Sequence, residues 1–444
     1  MLRFTTNRTG RGAGMADSTG RGDGIPTVYG DIAAGLARHG YRYPLRRMRA
    51  WQVNGFQARL LGRRAVLLAG PLAARQFYDN TRFVRARAVP SPIRRTLFGK
   101  GTVHGLDGAA HHHRKAVFGA VMCSDRLADL ADAARTGWRA AVARWESGGR
   151  VELFGEAVRV LGEAMSGWAG ITVPPRHLEP RLSDMVTIVD NVGTVGGQIR
   201  ACRARHRLTE WARAHIDAVR SDVLHPDSST ALYEMAHHRD RAGRRLPSRV
   251  AADELLNVLR PAVAVARLVT FAAHALHLHP QWRHRLAWGD DPLLTAFVWE
   301  VRRFYPFVPV VAARVRREFR WQGHRFRRGR TVLLDLYGTN HDPGFWQDPD
   351  RFDPARFRHA PPDRFGCVPH GGGRADTGHR CPGEDATTML LKQAVAVLAR
   401  LEYRVPTQDL TFSYRRFPPR IRSGFIMSEV SRVLTEPVAV PARP

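Results

Sequence analysis

The sequence predicts a mainly α fold with a small β-sheet portion. Two observations carry that expectation: long stretches with apolar residues at three- and four-residue spacing, and a few short β-rich runs. A third feature is a long irregular stretch, rich in proline and glycine, before the last periodic segment. Coil of that length inside a compact domain usually has a function.

The periodic segments are Asp125 to Trp145, Val151 to Trp168, Leu208 to Leu224, Val250 to His279 and Asp385 to Leu401. Each sets polar residues between its apolar ones, the pattern of a helix that buries one stripe against a core. Ala65 to Leu68 and Thr331 to Leu336 are read as strands, and Asn340 to Gly383 as the irregular stretch. Met1 to Gly24 is rich in Gly, Arg, Thr and Asp and has no apolar h-region. It is expected to be a disordered lead, with Met15 an alternative start. Residues 25–444 are expected to form a single domain, because no repeat or long linker interrupts them.

Cys123, Cys202, Cys367 and Cys381 are too few and too scattered for a disulfide framework, so a reducing compartment and free thiols are expected. Ala262 to Leu276 is the most apolar stretch. It is interrupted by Arg267 and is shorter than the roughly 20 residues that cross a bilayer, so the expectation is a cytoplasmic protein without a membrane anchor. The formal net charge of +29 raises a nucleic-acid partner, since clustered cations neutralise phosphates. Against it, Lys100, Lys115 and Lys392 are the only lysines among 69 basic residues, and the arginines are spread through every segment. No nucleic-acid partner is therefore expected. Arg314 to Arg330, interleaved with Phe319, Trp321 and Phe326, reads as a solvated basic surface, with a contact for an acidic partner as the alternative. A basic field also raises the local concentration of an anionic substrate.

The segment His370-Gly371-Gly372-Gly373-Arg374-Ala375-Asp376-Thr377-Gly378-His379-Arg380-Cys381-Pro382-Gly383-Glu384 runs straight into the helix expected from Asp385. Cys381 is thereby placed just before a helix N-terminus, where backbone N–H groups stabilise an anionic sulfur and Arg380 adds a cation. A thiolate so placed is a metal ligand or a nucleophile, and the glycines would let backbone approach a flat cofactor. A zinc set of Cys367, His370, His379 and Cys381, and a plain glycine loop with a buried thiol, stand as alternatives. Upstream, Glu300 and Arg303 share one helical face, and Arg356 in Asp353-Pro354-Ala355-Arg356-Phe357 could complete a charge-satisfied lock.

This ordered set, Glu-x-x-Arg, Pro-x-Arg-Phe and a Gly-rich Cys-Pro-Gly loop opening a helix, resembles the cytochrome P450 superfamily over about Tyr29 to Met427. The resemblance implies the cytochrome P450 fold and haem b, iron protoporphyrin IX, with Cys381 as the thiolate ligand of the iron. Oxygen-activating members carry an acid-alcohol pair in the middle of the distal helix. Here that helix reads Asn257-Val258-Leu259-Arg260-Pro261-Ala262-Val263-Ala264-Val265-Ala266, with neither acid nor alcohol. Pro261 removes a helical N–H and is expected to kink the helix. An arginine stays protonated and is no proton shuttle, but it can hold a carboxylate through two parallel hydrogen bonds.

Hydrogen peroxide already carries the two electrons a reductase would supply, so what remains is a proton transfer between its oxygens. A fatty-acid carboxylate clamped by Arg260 could perform it as base and then acid. The runs Leu259-Arg260-Pro261, Arg303-Phe304-Tyr305-Pro306-Phe307, Leu333 to Pro343 and Gly378 to Glu384 resemble the bacterial fatty-acid peroxygenases. That resemblance implies hydroxylation at the α or β carbon, with decarboxylation to terminal alkenes as a second outcome, and no redox partner. It implies that Phe98 lies against substrate, that His104 faces the iron, and that Arg85, His111 and Lys115 contact the haem propionates. A His104 that holds a proton near neutral pH would favour alkene. Phe307, Val308 and Val310 are the expected apolar walls, with ordinary core packing an equal reading. The alternatives are a reductase-dependent monooxygenase of another substrate and a non-catalytic haem-binding protein.

Overall fold

The computed structural model describes residues 25–191, 195–359 and 361–432. The expected lead, Met1 to Gly24, lies outside them. Ten helices build the body that matters here: α1 Ser91–Leu97, α2 Gly108–Val121, α3 Ser124–Ser147, α4 Leu153–Trp168, α5 Pro175–Asp190, α6 Val195–Arg220, α7 Ser248–Leu259, α8 Pro261–Leu278, α9 Asp291–Phe304 and α10 Glu384–Arg400. Six strands, β1 Thr27–Asp31, β2 Gly55–Leu60, β3 Arg63–Leu68, β4 Phe83–Val84, β5 Val310–Val315 and β6 Thr331–Asp335, form one sheet in the order β1-β2-β3-β6-β5-β4. The fold is mainly helical with a small sheet portion, as the sequence predicts.

The five periodic segments appear as α3, α4, α6, the α7–α8 pair and α10. Two boundaries differ. Val151 lies in a short strand, Arg150–Glu152, which pairs antiparallel with Ile426 to Ser428 before the Glu152 carboxylate caps α4 through Gly155 N. Helix α6 begins before Leu208, at Val195, because Ala201, Ala204 and Leu208 continue its buried stripe.

Helices α7 and α8 form the axis of the main core. Apolar residues of both, from Ala251 to Leu276, are packed together with α3, α4 and α10. Together they make the one helical run among the described residues that is long and apolar enough to cross a membrane, and 83% of that window is buried inside the protein. The run is longer than the apolar stretch seen in the sequence because Asp253, Glu254 and Asn257 are also buried in it, each with partners. At Arg260 the regular helix is interrupted. Leu259 ends α7, Pro261 opens α8, and Arg260 between them keeps αR dihedrals, φ −57° and ψ −29°. Proline has no N–H to give and its φ is pre-set, so it suits the first position of the second helix.

The sheet separates two smaller clusters. Val66, Leu68 and Leu334 face one, and Ala65, Leu67 and Leu333 face the other, the alternation expected of a strand buried on both sides. Asn340 ends the short helix Leu336–Asn340, and the described residues from His341 to Gly383 are irregular apart from the single turn Pro354–Phe357. It is anchored by charge. Arg303 donates through Nε and Nη2 to the two Glu300 oxygens at 2.7 Å each and also reaches the carbonyls of Asn340, Pro349 and Arg351. Arg356 approaches Glu300 at 3.4 Å, completing the expected lock.

Candidate active site

The cysteine loop is tied down before α10 begins. Cys381 N donates to His370 O at 3.1 Å. His370 Nδ1 is held by Arg302 at 2.9 Å, and Arg302 also donates to Thr388 Oγ1 and pairs with Glu384. Arg380 pairs with Glu384 too, so the cation expected beside the sulfur is spent on α10's first carboxylate instead. Burial raises the Glu384 carboxyl, but Arg302 and Arg380 outweigh it and hold the group down at about 2. Gly371 and Gly373 have φ of +91° and +78°, and a Cβ at Gly371 would lie 2.6 Å from the Tyr78 hydroxyl. They turn the loop and admit Tyr78.

Without a metal the Cys381 thiol is pushed up from its usual value by burial, an effect the Gly383 N–H offsets in part. Coordination to a metal ion displaces a thiol proton and leaves the sulfur anionic. Cys367 is fully buried among Ala296, Trp346 and Phe357, with its thiol pushed up to about 12, and Cys123 and Cys202 are exposed. Among the described residues no group of three or more His, Cys, Asp and Glu could hold a metal ion, which removes the zinc set.

Facing the loop are two buried cations, Arg85 and Lys115, and a buried imidazole, His111, with few anions. Arg85 donates to Phe77 O at 3.2 Å and lies over the Phe77 ring, but its buried Nη1 has no partner. The His111 ring lies tilted at 34° against His379 with centroids 4.0 Å apart, and Lys115 Nζ reaches the carbonyls of Gly378 and Arg380. Asp107, whose oxygens accept from Arg85 N and Ala86 N, faces His379 at 3.5 Å. Burial lowers Arg85 to about 10, Lys115 to about 8 and His111 to about 3. Arg85 and Lys115, depressed in this way, are cations short of counter-charge, and His111 adds a ring that can donate a hydrogen bond. A flat cofactor carrying two carboxylates supplies it, so the residues present fit haem: Cys381 for the iron, and Arg85, His111 and Lys115 for the propionates.

On the distal side, Arg260 stands out. Its Nε is buried without a partner, and no carboxylate among the described residues pairs with it. The nearest acids on its own helix are taken. Asp253 accepts from Arg205 at 2.6 Å and from Thr209 at 2.9 Å, and Glu254 accepts from Arg114 at 2.9 Å. What Arg260 has is the Phe98 ring, 5.5 Å from its guanidinium carbon. Phe98 in turn stacks on His104 at 4.1 Å and 17°. Burial, with Arg205 nearby, lowers Arg260 to about 10 against the pull of Cys381. It remains charged at any physiological pH.

His104 has accessible surface although protein encloses it, so that surface faces an internal space rather than bulk water. Burial first, then Arg260 and Lys115, push its imidazole down to about 3. Of the expected apolar wall, Phe307 comes within 6.5 Å of His370, while Val308 and Val310 are half-buried and pack against different clusters. Asp253, Glu254, Asn257 and Arg114 escaped the sequence reading. Their only signal was three polar residues in successive turns of an otherwise apolar helix.

The family model for cytochrome P450 matches residues 288–418, the span from α9 to just past the cysteine loop and α10. Putative cytochrome P450 132 of Mycobacterium bovis and of Mycobacterium tuberculosis is 32% identical over 170 residues, 34% of this chain and 36% of that one, so the match spans about a third of the relative's length. Solved structures match over nearly the whole chain. A variant of cytochrome P450SP alpha (CYP152B1) is 40% identical, with a TM-score of 0.87 over 91% of this chain and 99% of its own. The chain belongs to the cytochrome P450 superfamily. Its place there is with the CYP152 fatty-acid peroxygenases. Cytochrome P450EX alpha (CYP152N1), solved with myristic acid, is 38% identical at a TM-score of 0.89, covering 93% of this chain and 100% of its own. A variant of cytochrome P450 OleT, solved with arachidonic acid, is 32% identical at 0.89 with the same coverage. Cytochromes P450 of this kind are haem-thiolate oxidoreductases.

Proposed function

We propose that this cytochrome P450 uses hydrogen peroxide to hydroxylate fatty acids at the carbons next to the carboxylate, with haem b on Cys381. The observation that carries the reading is the enclosed, permanently charged Arg260, with which no carboxylate among the described residues pairs. A desolvated guanidinium is strongly completed by a bidentate carboxylate. Haem supplies the oxidising chemistry when bound; the protein's part is to place the substrate and manage one proton.

Arg260 holds the substrate carboxylate and so fixes which carbons lie nearest the oxidant, an effect of positioning rather than of acid strength. The carboxylate then takes a peroxide proton and returns it to the other oxygen, which no side chain of the Asn257 to Ala266 segment can do. Asn257 Nδ2 donates to Phe98 O at 3.1 Å, keeping that ring beside the guanidinium. His104, stacked on Phe98, stands beside this site, and the products are hydroxy acid with terminal alkene as a second outcome. Arg85, His111 and Lys115 bind and orient the propionates. The reading places the protein in the cytoplasm and needs no reductase, nucleic acid or membrane anchor.

The test is incubation of the purified holoprotein with peroxide and a panel of fatty acids, their alcohols and their methyl esters. Hydroxy acids should form from the acids alone, without nicotinamide cofactor. Equal turnover of an ester, or turnover only with an added reductase, contradicts the reading.

A further inference from the structure

The Glu254 carboxylate is completely buried and is the single point at which three parts of the site meet. It sits on α7, six residues before Arg260. Its Oε1 accepts from Val103 N at 2.8 Å and from Arg114 Nη1 at 2.9 Å, and its Oε2 accepts from Asn257 Nδ2 at 3.2 Å. Val103 opens the turn Val103–Gly105 that carries His104. Arg114 lies on α2 between His111 and Lys115, the helix that meets the cofactor's carboxylates. The neighbouring Asp253 makes a parallel tie to the same loop: its Oδ2 accepts from Lys100 N at 3.3 Å and lies where a Cβ at Gly99 would fall.

We propose that Glu254 is a positioning residue, which holds the His104 turn at a fixed distance from Arg260 and so sets which substrate carbon is oxidised. The inference rests on the fatty-acid reading of Arg260. The reasoning is geometric. Phe98 and His104 stack on each other and Phe98 meets the Arg260 guanidinium, so the ring pair and the cation have to be held in register. The loop that carries the pair has its backbone bonded to α7 at Phe98 O, Lys100 N and Val103 N. Of these ties only the one at Val103 is charge-assisted, short and fully enclosed, with Arg114 neutralising the carboxylate that makes it. A buried acid whose charge is matched in this way is a stiff anchor. Glu254 touches neither substrate nor cofactor; it acts through His104 and Phe98.

Two holoprotein variants test this. Glu254→Asp keeps the charge beside Arg114 but draws the carboxylate back from Val103 N by one methylene. Glu254→Gln combined with Arg114→Gln removes both charges together and leaves no bare buried cation behind. In both, amide hydrogen exchange across Val103–Gly105 should rise about tenfold or more, as loss of a charge-assisted bond implies, with exchange in α10 unchanged. The ratio of α- to β-hydroxy acid from one fatty acid should shift by about threefold or more. The dissociation constant of that acid should change little, because Arg260 is intact. Wild-type exchange and a wild-type product ratio in Glu254→Asp overturn the proposal, as does lowered thermal stability with both readouts unchanged. Failure of the fatty-acid reading shows separately, as absent turnover in the wild type, and the exchange measurement does not depend on turnover.

Discussion

Arg303 and Arg260 are both enclosed arginines on core helices, and they are in opposite states. Arg303 is surrounded: two bonds to Glu300 and three backbone carbonyls satisfy its donors, and every partner comes from the chain. Arg260 has an aromatic ring and, among the described residues, no carboxylate paired with it. Taking a guanidinium out of water is costly, and the cost is met inside the protein in one case and left open in the other. The comparison separates a cation that holds the fold together from one that waits for a ligand.

The same substitution at both positions should bring out the difference. Arg303→Met takes from the buried Glu300 its two short ion-pair bonds, leaving only Arg356 at 3.4 Å and Asp353 N, and should cost about 3 to 5 kcal/mol, read by denaturant unfolding of the holoprotein. A loss below about 1 kcal/mol would mean that the lock contributes little and that the comparison fails on its structural side.

Asp335 is the acidic counterpart, a buried carboxylate only half served. Its Oδ1 caps the following turn through Gly338 N at 2.8 Å, and its buried Oδ2 has no partner. Burial pushes it up to about 7, against the pull of the Gly338 and Tyr337 N–H groups. The folded state therefore binds this proton more tightly than the unfolded chain does. Its stabilising effect is complete below about pH 4 and is lost as pH rises through about 7. Asp335→Asn, which keeps the cap acceptor and cannot ionise, should gain on the wild type by on the order of 2 kcal/mol between pH 4 and pH 8. A stability difference that is flat with pH would show that Asp335 is not protonated in the fold.

Phe98→Leu keeps bulk beside Arg260 but removes the π face. Fatty-acid affinity should weaken by about 1 kcal/mol, measured by titration of the Soret band. Unchanged affinity would mean that the ring does not hold the guanidinium. The smallest expected effect is on stability in Arg260→Met, which removes a cation without stranding an anion. Its unfolding free energy should lie within about 1 kcal/mol of the wild type, or above it.

How much of this could be read in the sequence follows from the reach of local rules. Cys381 before a helix, the Glu300–Arg303 pair at three residues' spacing and the Arg260–Pro261 break all lie in short segments, and all three emerge where expected. The state of each group does not lie in a short segment. Arg260 is unpaired because Asp253 and Glu254 are claimed by Arg205 and Arg114, partners 48 and 140 residues away. Arg380 is next to Cys381 in sequence but turns to Glu384, and the fall of the His104 imidazole comes from enclosure and from Arg260, far away in sequence. Val308 and Val310 are two residues apart but pack against different clusters, because Val308 lies before the strand that opens at Val310.

The central claim is that Arg260 is completed by a substrate carboxylate, and one titration tests it most directly. Wild-type and Arg260→Met holoproteins are each titrated with a fatty acid and with its methyl ester of equal length, following the Soret band. The account predicts that the wild type binds the acid more tightly than the ester by about 2 to 5 kcal/mol, roughly 30- to 4,000-fold, and that Arg260→Met binds both alike. Equal binding of acid and ester by the wild type, or an acid preference that survives in Arg260→Met, would contradict it.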